Sequence, residues 1–108
     1  MSLAKLTSLS TQTLTLLLER QRLQTMNQPP PTATTQHIVR NLNQLRAGIL
    51  AIETKAQNDQ DNTQNSVLET IDLLRNQFTR MKDMLGPDGH LVDAFVQHTS
   101  RNYTNVLT

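Results

Sequence analysis

The side chains that could do acid–base or metal chemistry are three histidines, His37, His90 and His98, and nine carboxylates. His90 and His98 stand eight positions apart, with Asp88 and Asp93 close by. A metal ion needs ligands converging at about 2 Å, which on one helix takes i, i+3 or i, i+4 spacing. Eight positions is about two turns, so these imidazoles cannot share an ion from a single helix. All three histidines read as surface residues. The carboxylates are Glu19, Glu53, Asp59, Asp61, Glu69, Asp72, Asp83, Asp88 and Asp93. None forms a close helical pair in an apolar setting, as general acid–base catalysis requires; Glu69 and Asp72 lie on the polar side of their segment. No Gly-rich phosphate loop or nucleophile motif is present, and Gly86-Pro87-Asp88-Gly89 is turn chemistry. The expectation is a non-enzyme with no catalytic residue, no metal ligand and no cofactor.

With no reactive centre to position, the helices become the informative feature. Residues 34–57 place Ile38, Leu42, Leu45, Ile49, Ile52 and Ala56 at spacings of four and three in alternation. That puts one apolar edge along a single helical face. Such a helix is roughly 36 Å long and needs its edge covered. Residues 66–85 repeat the pattern with Val67, Ile71, Leu74, Phe78, Met81 and Leu85. Two matched stripes, separated by the polar run from Asn58 to Asn65, predict helices packed at a shallow crossing angle. Gly48 lies off its stripe. It is either a tolerated cost of ~1 kcal/mol relative to Ala or a point where another helix comes close, and the first is expected.

A first helix is predicted over 3–27. Leu9, Leu16 and Leu23 lie seven apart, Leu6 and Met26 extend the stripe, and Leu14, Leu17 and Leu18 widen it. Thr7, Thr11, Thr13 and Thr15 lower its intrinsic propensity, so packing must hold it. Pro29, Pro30 and Pro31 end it, and Thr34 or Thr35 is placed to cap a second helix over 35–57. After the third helix, Gly86 and Pro87 enforce a stop. Leu91, Val92, Phe95 and Val96 could form two amphipathic turns, and residues 100–108 read as a loose tail. The fold class expected is all-α. It is an antiparallel up-down-up three-helix bundle over 1–86, with a short, loosely attached C-terminal segment over 87–108.

Composition agrees. The chain has 108 residues, 36% of them hydrophobic, with two Phe, one Tyr, no Trp and no Cys. That is one domain with an aliphatic core and no disulfide or thiolate chemistry. A net charge of +1 gives no basic face for nucleic acid and no polybasic signal for a membrane surface. The longest apolar run, Leu16-Leu17-Leu18, cannot cross a bilayer, so no membrane insertion by this segment is expected. The N-terminus lacks the apolar run of a signal peptide. The aliphatic stripes read as core rather than a lipid pocket, so no small-molecule ligand is expected. Apolar residues off the seams are Leu14, Val39, Leu50, Leu68 and Leu73. A three-helix bundle should use most of them internally, leaving any surplus as a groove for a partner helix. Candidate partner-binding residues are Val39, Leu50 and Leu73, with Arg40, Gln44 and Arg46 on the polar side of the second helix.

The order of segments resembles a known family. It comprises a Leu-rich helix ending LLLERQRLQTMN, a Pro/Thr linker, HIVRNLNQLRAGILAIE, a polar turn and SVLETIDLLRNQFTRMKDML. Over residues 6–85 this is similar to the N-terminal three-helix domain of Qc-type SNAREs of the syntaxin-8 kind, particularly fungal ones. In that family a SNARE motif with a central Gln layer and a membrane anchor come next; neither lies within these 108 residues. The resemblance implies a regulatory and recruitment domain in vesicle fusion, on the cytoplasmic face of endosomal, vacuolar or Golgi membranes. Its implied partners are tethering factors, SNARE-assembly factors or its own SNARE motif. The alternative expectation is a helical subunit of a larger assembly, such as a kinetochore or tethering complex.

Overall fold

The computed structural model describes residues 2–58 and 65–95. Three helices succeed one another: α1 (Leu3–Thr25), α2 (Thr32–Asn58) and α3 (Asn65–Met84). A 3-10 helix, η1 (Gly86–Leu91), closes the series. No strand occurs among the described residues. Side-chain pairings fix the topology. Leu6 lies against Gly48 and Arg20 against Thr35, so α1 and α2 are antiparallel. Ser10 meets Gln77 and Arg20 meets Asp88, so α1 and α3 are parallel. The chain is an up-down-up three-helix bundle.

Local chemistry sets the helix ends. Ser2 caps α1, its hydroxyl accepting from the Lys5 N–H at 3.2 Å. At the other end Asn27 takes φ of 60°, in the left-handed region that Asn tolerates better than most side chains. The Gln28 N–H then reaches the Leu23 carbonyl at 2.9 Å and the Asn27 N–H reaches Gln24 at 3.0 Å, the paired bonds of a Schellman ending. The start of α2 differs from expectation. The N–H groups of Thr34 and Thr35 both donate to the Pro31 carbonyl, so the helix begins at Thr32. Thr35 is therefore inside the first turn, where its hydroxyl receives Arg20 instead of capping.

The two matched stripes form most of the core. Ile38, Leu42, Leu45 and Ile49 of α2 are buried, as are Ile71, Leu74, Phe78 and Met81 of α3 and Leu85 just beyond it. Each such side chain contributes about 1.5–3 kcal/mol by leaving water.

The first helix is turned away from the expected stripe. Its buried line is Leu6, Ser10, Thr13, Leu17 and Arg20. Leu9, Leu16 and Leu23 are half-buried, and Leu14, Leu18 and Met26 are exposed. The polar members are tolerated because each finds a partner. The Ser10 hydroxyl donates to Gln77 Oε1 at 2.7 Å, and the Thr13 hydroxyl donates to the Leu9 carbonyl at 2.7 Å. Gly48 also departs from the expected reading. A Cβ there would overlap the Leu6 Cδ2 methyl, so this is the close approach of two helices.

After α3 the chain turns at Gly86, whose φ of +60° lies in the left-handed region that glycine enters without steric cost. The expected amphipathic helix through Leu91, Val92 and Phe95 does not form. Leu91 ends η1 half-exposed to water, Val92 is buried, and residues 93–95 have no helical structure. Val92 is extended, at φ −105° and ψ 127°. Polar side chains of α2 bond the main chain of residues 93 and 94, which removes the need for helical bonds there. The interior of the expected turn at 58–65, together with Val96 and the tail over 100–108, lies outside the described residues.

Candidate functional site

Helical periodicity separates the flanks of α2 and α3. On α2, Val39, Asn43, Arg46 and Leu50 recur at spacings of three and four beside the buried stripe. On α3, Arg75 occupies the matching flank and joins the two helices. Its Nη1 donates to both carboxylate oxygens of Glu53, each at 2.7 Å. Both side chains are about one-third exposed or less, so the pair is shielded from solvent more than most surface pairs. The same guanidinium lies over the Phe95 ring, 4.4 Å from its centroid. Phe95 meets Phe78 edge-on, with centroids 4.9 Å apart and planes at 68°. Earlier on α2, Arg46 Nε donates to the Ala94 carbonyl at 3.0 Å, and Asn43 Oδ1 accepts the Asp93 N–H at 3.0 Å. Residues 93–95 thus lie against α2 and α3, held by two main-chain bonds and the Phe95 ring, and Val92 before them is buried in the core.

A second polar cluster holds the base of this arrangement. The Arg20 side chain is 6% exposed, and its Nη2 meets Asp88 Oδ2 at 2.7 Å. Its Nε donates to the Thr35 hydroxyl at 3.3 Å. One guanidinium therefore joins α1, the first turn of α2 and η1. Farther along α1, Arg22 hydrogen-bonds Glu19 and holds that carboxylate below its usual range; both groups face solvent.

The six residues expected to bind a partner do not share a face. Arg40 and Gln44 are on the exposed side of α2. Val39, Arg46 and Leu50 are half-buried on its flank, where Arg46 is engaged by Ala94. Leu73 is 55% exposed, one turn before Gln77 and so on the α1 side of α3. The off-seam apolar residues are less used internally than expected. Leu14, Leu68 and Leu73 are 40%, 45% and 55% exposed; on α1, Ser10, Thr13 and Arg20 take interior positions and Leu14 is left outside. The sequence reading missed Asn43, Glu53 and Arg75 as site-formers and Arg20 as a buried charge. The one available signal was opposite charge at Glu53 and Arg75 on neighbouring helices.

His37 and His90 are exposed, and His98 lies outside the described residues. Among the described residues no group of His, Cys, Asp or Glu could hold a metal ion, and no helix is long and apolar enough to cross a membrane. No protein-family model, curated protein or solved structure matches the chain.

Proposed function

We propose that this chain is a non-catalytic regulatory and recruitment domain of a SNARE, acting in membrane traffic by binding proteins through its helix faces. The observation that carries the reading is the order of segments over residues 6–85, which resembles the Qc-type N-terminal domain. The up-down-up bundle is the architecture that resemblance implies. Its partners would be tethering or SNARE-assembly factors, or a SNARE motif of the same protein, at endosomal, vacuolar or Golgi membranes. The test is the coding sequence beyond Thr108. A heptad segment with a central Gln, and after it an apolar stretch of about 20 residues, supports the proposal. An open reading frame that continues with neither, or stops, overturns it.

A second reading is a helical subunit of a larger protein assembly. It is favoured by the exposed Leu14 and Leu18, one turn apart on α1, and by exposed Leu73 on α3. Sedimentation of the isolated chain separates the two. A helical monomer with a cooperative transition fits a self-contained domain, whereas an elongated oligomer or a poorly folded chain fits the assembly subunit.

A further inference from the structure

We propose that the α2–α3 groove is a docking site for an extended peptide, and that this chain keeps it filled with its own residues 92–95. The outside partner it fits carries an aliphatic residue three positions before an aromatic one. In taking a protein as that partner the proposal rests on the protein-binding reading above.

The seated segment itself defines the chemistry. Val92 is buried with the core cluster, and Phe95 enters the groove between Phe78 and Arg75. Asp93 and Ala94, between them, are exposed. The groove therefore reads side chains at the first and fourth positions and leaves the middle two free. At those middle positions it reads main chain instead. Asn43 takes an N–H and Arg46 gives an N–H to a carbonyl. Main-chain bonds hold an extended strand of any sequence, while pockets select side chains, which is the usual division of labour in peptide recognition.

The receiving groups also have partners outside the segment. Arg75 is fixed by Glu53 across the helix pair, and Phe78 belongs to the core of α3. The segment is joined to the backbone before it through the Val92 N–H, which donates to the Gly89 carbonyl at 3.1 Å. A competing peptide would thus meet groups already paired within the bundle and displace a short segment that has no helix or strand structure of its own. Tethering makes the resident segment a competitor at an effective concentration in the millimolar range. An outside peptide binds the untouched chain with an affinity lowered by the fraction of time the groove stands open.

The test uses the full chain and a synthetic peptide of its residues 90–96, with amide shifts read in a 15N-labelled sample. Phe95→Ala removes the resident aromatic anchor. Asp93→Pro removes the N–H given to Asn43 without removing apolar area, and the extended Val92 suits a proline after it. The expected result is peptide binding about tenfold or more tighter in either variant than in wild type, since the groove is open more of the time. Shifts should centre on Asn43, Arg46, Arg75 and Phe78. A peptide with serine in place of its phenylalanine should not bind. Equal affinity for wild type and variants, shifts centred elsewhere, or equal binding of the serine peptide overturns the proposal. If Phe95→Ala lowers thermal stability too far to use, Asp93→Pro gives the same reading. The probe comes from this chain, so the outcome is independent of the coding sequence beyond Thr108, and either reading can fail alone.

Discussion

Arg20 and Asp88 form one ion pair, yet removing either partner should not have the same effect. The Arg20 side chain is 6% exposed and the Asp88 side chain 42%. Arg20→Met deletes the buried charge, keeps an apolar stem in its place and lets Asp88 hydrate from its open side. The Thr35 hydroxyl loses only a long bond of 3.3 Å. The expected cost is about 0–1 kcal/mol, because replacing a buried ion by apolar packing is often close to neutral. Asp88→Ala instead strands a buried guanidinium with the Thr35 hydroxyl as its remaining partner. Breaking a buried pair from one side costs about 3–5 kcal/mol. Water entering where the half-exposed carboxylate stood should reduce this to about 2–3 kcal/mol. In a domain of this size that lowers Tm by about 10–20 °C. The double variant should recover most of the loss, since the stranded charge is gone. Urea unfolding by circular dichroism on wild type, both single variants and the double variant measures all three differences. If Arg20→Met loses as much as Asp88→Ala, or the double variant is no more stable than Asp88→Ala, the buried-charge reasoning is refuted.

The facing of α1 is tested by neighbouring leucines. Leu17→Ala should cost about 2–5 kcal/mol as a core truncation, while Leu18→Ala should stay within about 0.5 kcal/mol; the opposite order in chemical denaturation would mean the helix is turned the other way. Leu45→Asp or Phe78→Asp places an unpaired charge in the core and should abolish the cooperative thermal transition. A sharp transition in either variant would put the buried face elsewhere.

The faces of α2 and α3 were legible because their apolar residues keep a helical period without interruption. Ile38 through Ile49 and Ile71 through Leu85 are buried in the order their spacing implies. The first helix was not legible in this way. Leucine occurs all around it, so periodicity alone offered several stripes, and the one at Leu9, Leu16 and Leu23 looked strongest. What buries Ser10 and Arg20 instead is the presence of Gln77 and Asp88, 67 and 68 positions away. A polar side chain can lie inside a bundle when a partner across the interface completes its bonds, and a single helix gives no sign of that partner.

The groove shows the same division. Sequence could mark Phe95 as apolar and Arg46 as charged, but it placed Phe95 on a helix and Arg46 among free surface residues. Their roles arise from the meeting of α2, α3 and the chain after η1, where Arg75 and Phe78 receive the ring and Asn43 and Arg46 hold the main chain. By itself the sequence determined that this chain is helical, where α2 and α3 turn their apolar faces, and that Gly86 breaks the chain from α3, since these depend on local spacing and backbone preference. The tertiary structure decided which side of α1 faces inward, which cation is buried, and where residues 92–95 lie. Each of those depends on a partner distant in the chain, which only packing brings within bonding distance.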